Sequence, residues 1–370
     1  MGILYHEASP RGEASWYNSN MFSKQLDILA VGDITTDTFI RLKDAHIHCR
    51  VDHEEKELCL PFGEKVPFEY VKIIKAVGNA ANVAVTSKRL GLKTAIMTNI
   101  GDDQNGKDCL AELQKNGIMT SNVIIHSNKR TNYNFVLWYD VDRTILVNHT
   151  DYDYHLPASL IKNKSAKTAP KWIYLTSLSA NTFPYHMQIA DYLEANPTIK
   201  LAFQPGTYQI KLGIKELERI YKRADFFIVN MEEARRLLLE ARPRGEASRS
   251  GLEASPRDLL KSIHDLGPKL VVITDSSNGA YLFDGDHYYH MPIYPDARPP
   301  LERTGCGDAW AATFVGALAL GKTPLEALMW APINPMSVAQ FIGSQEGLLH
   351  LDQLEWWLSR APMDYRPKEI

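Results

Sequence analysis

The sequence predicts an α/β fold: three layers, α/β/α, with a mostly parallel central sheet and a small β-sheet lid beside it. Three observations carry this expectation. Short apolar runs rich in β-branched or aromatic residues alternate with stretches of helical period along most of the chain. Two small-residue junctions, Val77-Gly78-Asn79-Ala80-Ala81-Asn82 and Thr304-Gly305-Cys306-Gly307-Asp308, each lead directly into a helical run. Two extended regions, 39–70 and 122–148, interrupt the alternation.

Strands are predicted at 27–31, 94–100, 172–176, 200–203, 225–229 and 270–274. Helical stretches are predicted at 79–90, 104–116, 183–193, 214–221, 231–239 and 308–320. Repeated strand-then-helix order calls for a parallel sheet covered on both faces, with right-handed crossovers and ligands at the carboxyl ends of the strands. The extended regions, with Asn134-Phe135-Val136-Leu137-Trp138-Tyr139 and Arg143-Thr144-Ile145-Leu146-Val147, lie beside those strand ends. They read as a mainly antiparallel lid built from segments at about 38–77 and 120–149; ordinary surface hairpins are the alternative.

At 370 residues, 45% hydrophobic and 23% charged, the chain can bury a large core and is not globally disordered. A single domain over 25–365 is expected, after a flexible tail at 1–24. The hexapeptide Pro10-Arg11-Gly12-Glu13-Ala14-Ser15 recurs as Pro243-Arg244-Gly245-Glu246-Ala247-Ser248, within a solvated insertion at about 242–257. A formal net charge of -3 supplies no cationic field for nucleic acid or an anionic membrane. No apolar run approaches the roughly 20 residues a membrane helix needs, and Glu7, Arg11 and Glu13 leave no signal-peptide core, so a cytoplasmic location is expected. The four cysteines form no CxxC pair, and His46 and His48 have strand spacing, so neither a disulfide framework nor a zinc cluster is expected.

The chemistry concentrates at the two junctions. Glycines at 305 and 307 let backbone N–H groups turn toward a point off the helix N-terminus, where an anion is favoured. A carboxylate there, Asp308, fits if it takes a proton from a hydroxyl while the amides of Gly305, Cys306 and Gly307 stabilise a transferring phosphoryl group. Alternatively it only caps the helix. At the first junction, Gly78, Asn79 and Asn82 offer donors and acceptors suited to a neutral polyol; close helix–sheet packing is the plainer alternative.

Together, the Gly-Asn junction with the following Gly101-Asp102-Asp103, and Thr304-Gly305-Cys306-Gly307-Asp308, resemble the paired signatures of the PfkB (ribokinase-like) carbohydrate and nucleoside kinase family. The resemblance spans roughly 26–349. It implies a ribokinase-like fold, an alcohol-group phosphotransferase, ATP and Mg²⁺. It also implies a substrate-binding carboxylate at Asp37, with Gly78, Asn79 and Asn82 around the same ligand. Asn230-Met231-Glu232-Glu233 matches the family's Asn-x-x-Glu, which places Asn230 near nucleotide phosphates and Glu233 on magnesium through water. Capping of a helix by the same residues is the competing reading. Thr274 and Gly279 resemble the strand and turn around the base and ribose, and Asn334 is assigned toward the adenine.

Departures from the pattern are Val77 before Gly78, Glu302-Arg303 where Asp-Thr is usual, Cys306 for alanine, and Ser276 where glycine is frequent. Glu302 leaves dependence on a monovalent cation open. Arg303 is read as positive charge near the phosphates and Cys306 as a packing residue. The expected reaction transfers the γ-phosphoryl group of ATP to a hydroxyl of a sugar or sugar-like substrate. Adenosine or another nucleoside is the alternative, suggested by 202–208 and by aromatic lid residues Tyr133, Phe135, Trp138 and Tyr139. A catalytically silent ligand-binding sensor or scaffold is the competitor from another class. Walker-type ATPases and Rossmann dehydrogenases lack their motifs here. Exposed lid strands make a homodimer through the lid an expectation.

Overall fold

A computed structural model describes residues 25–49, 56–139, 142–162, 169–240 and 254–370. The predicted tail and most of the insertion, with both copies of the repeated hexapeptide, lie outside them. From the N-terminal side run β1 (Ile28–Val31), β2 (Thr35–Leu42), β3 (His46–Cys49), β4 (Lys56–Cys59), β5 (Phe68–Val77), α1 (Asn79–Arg89), β6 (Thr94–Gly101), α2 (Gln104–Lys115) and β7 (Met119–His126). Then come β8 (Tyr133–Tyr139), β9 (Asp142–Asn148), α3 (Ala158–Lys162), β10 (Trp172–Leu175), α4 (Phe183–Ala195), β11 (Lys200–Phe203), α5 (Thr207–Leu212), α6 (Glu218–Arg223), β12 (Phe226–Asn230) and α7 (Met231–Glu240). The remainder is α8 (Pro256–His264), β13 (Leu270–Thr274), β14 (Ala280–Phe283), β15 (Tyr288–Met291), α9 (Cys306–Ala319), α10 (Pro324–Trp330), α11 (Ile333–Val338), α12 (Leu351–Leu358) and β16 (Lys368–Glu369).

The main sheet has ten strands in the order β16-β15-β14-β13-β12-β11-β10-β1-β6-β7. From β13 through β7 every pairing is parallel; β14, β15 and β16 extend the edge antiparallel. Alternation along each strand builds two cores. Ile28 and Ala30 of β1, with Phe226 and Ile228 of β12, face a core shared with α1, α9, α10 and α11. Leu29 and Val31, with Phe227 and Val229, face the other core, under α4 to α8. Strand order reverses at β1, between β10 and β6, which opens a crevice at their carboxyl ends.

A second sheet, β5-β2-β8-β9, stands at those ends; β2 pairs antiparallel with β5 and parallel with β8, and β8 pairs antiparallel with β9. Its inner face carries the cross-strand rows Ile74-Asp37-Asn134-Val147 and Lys72-Phe39-Val136-Ile145. Phe39 and Val136 are buried there, whereas Ile73, Phe135 and Leu146 of the outer face are exposed.

Three sequence expectations are corrected. Residues 119–126 form β7, paired with β6 in the main sheet, so the second lid segment begins later than 120. The helix expected at 214–221 is α6, beginning at Glu218, because the preceding α5 ends at Gly213 in a positive-φ conformation (φ 97°). The insertion ends before 257: Ser255 and Asp258 form a reciprocal capping box that starts α8 at Pro256. The small sheet is mainly antiparallel, as expected, with one parallel pairing between β2 and β8.

Phe314 of α9 stacks on Phe226 of β12 (centroids 4.8 Å apart) and on Trp310 (5.4 Å), fixing the helix against the sheet. Phe314→Ala should destabilise the protein by about 3–5 kcal/mol in denaturant titration, because a fully buried ring leaves a cavity that rigid strands cannot fill.

Candidate active site

The carboxylate at the start of α9 is built by three elements. Gly305 caps the helix at φ 82°, and a Cβ there would lie 2.3 Å from Ser344 Cβ, so this turn requires glycine. Asp308 then projects where two amides meet it: Asn82 Nδ2 donates to Oδ2 at 2.8 Å and Gln204 Nε2 donates to Oδ1 at 3.1 Å. Burial raises the Asp308 pKa, and these two donors oppose the rise. Tyr174 hydroxyl donates to Gln204 Oε1 at 2.7 Å. Asn82 Oδ1 accepts from Ser344 hydroxyl at 2.8 Å and Gln345 Nε2 at 3.0 Å. Gln345 Nε2 also donates to the carbonyl of Ala76, which is held at a positive φ of 52° just before α1.

The adjoining loop is partly committed. Cys306 N–H donates to the Arg303 carbonyl at 3.3 Å, so the expectation that Cys306 joins Gly305 and Gly307 as an anion donor is corrected. Its thiol, pushed up to about 12 chiefly by burial and next by Glu302, packs toward the Pro335 carbonyl and is no nucleophile. Gly307 differs from every other glycine among the described residues. Its φ is ordinary and nothing lies within 4 Å of a Cβ built on it. No protein contact demands glycine there, and the bare position faces open space.

Asp37, on the inner face of β2, is buried and accepts from Asn134 Nδ2 at 3.0 Å. Burial lifts its pKa to about 6, and nearby Glu302 pushes the same way. Gly78 (φ 94°) caps α1 beside the 33–35 loop, where a Cβ would come within 3.1 Å of the Asp33 carbonyl. Asn79 is half-buried at the first turn of α1. Asp33 lies deeper, accepting from Tyr154 hydroxyl at 2.9 Å and Ser179 N–H at 2.8 Å, with its pKa lifted to about 6 by burial.

On the other side of Gly307 opens a pocket of ≈ 230 Å³ lined by Thr274, Gly279, Tyr294, Arg303, Trp310 and Met336, among others. Gly279 (φ 91°) turns so tightly that a Cβ would meet the Met291 carbonyl at 2.2 Å, and Ser276 takes φ 49° without being glycine. Asn230 sits beside Thr274 in register, but its side chain and that of Glu233 close a reciprocal capping box at the start of α7. Burial raises the Glu233 pKa; the Asn230 N–H opposes this, and Asp308 adds to the rise. Asn334 is corrected: it is fully buried, donating to Thr313 Oγ1 and accepting from Leu349 N–H (both 2.8 Å), so it does not face the pocket.

This arrangement, a carboxylate at a glycine-rich helix start between a polar cleft and a pocket, can be compared with known proteins. The pfkB family carbohydrate kinase model matches residues 56–332. The chain belongs to the PfkB family of carbohydrate kinases. It is therefore a phosphotransferase with an alcohol group as acceptor. Probable fructokinase-5 of Arabidopsis thaliana is 28% identical over 266 residues, covering 69% of this chain and 76% of the relative. A nucleoside kinase of Methanothermobacter thermautotrophicus is 24% identical over 328 residues, 88% of this chain and 92% of the relative. The structure of Arabidopsis thaliana ribokinase complexed with ribose and ATP superposes with a TM-score of 0.69 at 19% identity, covering 90% of this kinase and 99% of that chain. No helix among the described residues is long and apolar enough to cross a membrane.

Gln204, Ser344, Gln345 and Asn134 were not singled out from sequence. Gln204 was accessible in principle, since it directly follows a strand of a parallel sheet, where ligands and catalytic groups collect. The others come from a loop and a strand whose proximity depends on the chain's long-range path.

Two measurements follow. Gly305→Ala should cost about 1–3 kcal/mol of stability, whereas Gly307→Ala should leave the melting midpoint of this kinase nearly unchanged. Asp33 and Asp37 hold protons more tightly folded than unfolded, so stability should fall as pH rises from 3.8 toward about 6 and level off above. Asp37→Asn should flatten part of that slope in melting curves recorded across the window.

Proposed function

We propose that this kinase transfers the γ-phosphoryl group of ATP to a hydroxyl of a neutral sugar or sugar-like substrate, with Asp308 as the base. The observation that carries this reading is the pair of amides on Asp308. Asn82 and Gln204 each occupy one lone pair of one carboxylate oxygen, which orients the group and leaves further lone pairs for a substrate proton. The acceptor hydroxyl gives its proton to Asp308 as its oxygen attacks the γ-phosphorus; the bond to the β–γ bridging oxygen breaks and ADP leaves. Free N–H groups at the start of α9, with Gly307 bare, receive the phosphoryl oxygens. The lined pocket takes the nucleoside end of ATP, with Arg303 at its wall.

Asp37, with Asn134 donating to it, takes the hydroxyls of the acceptor together with Asn79. Asn82 acts on Asp308 rather than on the substrate, since both ends of its amide are engaged. The residues present suit magnesium. No group of three His, Cys, Asp or Glu side chains gathers into a cage among the described residues, and Glu233 is a half-buried carboxylate whose charge is felt with that of Asp308. This fits an ion held mostly by phosphates and water, with Glu233 behind the water. When bound, magnesium neutralises charge on the phosphates.

A nucleoside acceptor is the second reading, supported by the nucleoside kinase that aligns over 88% of the chain. The exposed Ile73, Phe135 and Leu146 on the outer face of the small sheet support a homodimer formed there.

An ADP-release screen over sugars and nucleosides tests the reaction and separates the two acceptors. Asp308→Asn should keep the melting midpoint and lower turnover by about 10²–10⁴; retention of most activity overturns the assignment. Gly307→Ala should fold normally and raise the KM for ATP. Nucleotide binding without ADP formation from any acceptor would favour a silent sensor.

A further inference from the structure

The inner face of the small sheet carries two buried polar atoms, beside Asp37, that find no partner among the described residues. Asn134 donates through Nδ2 to Asp37 Oδ1 at 3.0 Å, which fixes the amide and leaves its buried Oδ1 unpaired. Asn134 pairs with Val147 of β9, and His149, two positions further on, continues the inner-face series by strand alternation. Its Nδ1 is the second atom, equally buried and unpaired. Diagonal neighbours of this kind lie about 7–8 Å apart at the backbone, close enough for both side chains to reach one group between them. Buried polar atoms nearly always have a partner, so two unpaired ones at neighbouring positions mark a place built for a ligand group.

His149 is also held from outside the sheet. Its ring meets that of Tyr208 edge to face, with centroids 6.0 Å apart and planes at 80°. Tyr208 stands in the first turn of α5, four residues after Gln204, which donates to Asp308. Thr150 N–H donates to Asn132 Oδ1 at 2.8 Å, and Asn132 Nδ2 donates to the Ile34 carbonyl at 3.3 Å. The backbone around His149 is thereby tied to the turn leading into the strand of Asp37. The two rings close the side of the acceptor cleft, between the small sheet and the strand end that carries Gln204.

Charge decides what this place takes. Burial lowers the His149 pKa, which keeps the imidazole neutral at pH 7. With its proton on Nδ1, the ring and Asn134 together match one hydroxyl, which donates to Asn134 Oδ1 and accepts from His149. Asp37 and nearby Glu302 put negative charge on the same wall. A phosphate or carboxylate would meet that charge and the Asn134 carbonyl dipole, while Lys211, 6.0 Å from the Tyr208 ring, is exposed to solvent.

We propose that Asn134 and His149, backed by the Tyr208 ring, form the specificity wall of the acceptor site, reading one hydroxyl remote from the reacting one and restricting the acceptor to uncharged molecules. Asn134 and His149 touch the acceptor; Tyr208 is a positioning residue that acts through His149. This rests on the kinase reading above and narrows its acceptor.

The test measures steady-state ADP release by wild type, His149→Ala, Tyr208→Phe and Tyr208→Ala. The acceptors are D-ribose, D-fructose, adenosine, the monodeoxy analogues of whichever is turned over, and D-fructose 6-phosphate. His149→Ala should raise the acceptor KM about ten-fold or more and leave kcat and the KM for ATP within about three-fold, since the hydroxyl is held equally in ground and transition states. With the one deoxy analogue that lacks the hydroxyl being read, wild type and His149→Ala should agree within about two-fold. Tyr208→Phe should match wild type and Tyr208→Ala should follow His149→Ala, because only the ring is used. The melting midpoint of His149→Ala should not fall, since the change removes an unpaired buried atom. An unchanged acceptor KM in His149→Ala, an equal loss with every deoxy analogue, or D-fructose 6-phosphate as the preferred acceptor overturns the proposal. If wild type turns over none of these acceptors, the transfer reading fails by itself and calorimetric binding of the three uncharged compounds decides. At least one should bind wild type and weaken about five-fold or more in His149→Ala; equal affinities, or no binding at all, refute the wall.

Discussion

The site is organised around one carboxylate, that of Asp308, held in a fixed orientation at the start of α9. Burial works against the charge of Asp308, and the protein answers with two amide donors, one from α1 and one from the end of β11. A hydrogen bond to a charged group contributes about 1.5–3 kcal/mol, enough to hold the orientation of the carboxylate. Each donor is itself fixed, Gln204 by Tyr174 from the neighbouring strand and Asn82 by Ser344 and Gln345. The constraint therefore reaches from the centre of the sheet to a loop more than 260 residues from Asn82 in sequence.

Around that carboxylate the two halves of the site obey different physics. On the pocket side it is backbone geometry: positive-φ residues at 276, 279 and 305, and a glycine at 307 that leaves space. On the small-sheet side it is side-chain charge and burial: Asp37 and Asp33 are buried, and burial raises both pKa values to about 6. Glu302 belongs to both, bonded to the loop and close enough to Asp37 to raise its pKa.

Much of the fold was legible because its signals are local. Alternating apolar runs and helical periods marked the parallel strands within a residue or two, as at 200–203 and 270–274. The glycine-rich start of α9 was legible because few residues other than glycine accept φ 82° against a packed serine. The expected lid segment from about 120 takes in most of β7 because an edge strand, wet on one side, has the same pattern as a lid strand. Asn334 misled because an asparagine satisfying a buried helix and loop looks, in sequence, like one awaiting a ligand. Asn230 and Glu233 show a helix cap realised where a ligand role was also expected, and the same residue types serve both.

By itself the sequence determined the layer order and the family to which the chain belongs, since periodicity, turn stereochemistry and motif spacing are properties of neighbouring residues. Only the tertiary structure decided which groups hold the Asp308 carboxylate, that Cys306 turns its amide inward, and that Arg143 of one sheet faces Glu302 of the other. Those are contacts between residues tens to hundreds of positions apart, and they exist only once two sheets and a helix have packed against one another.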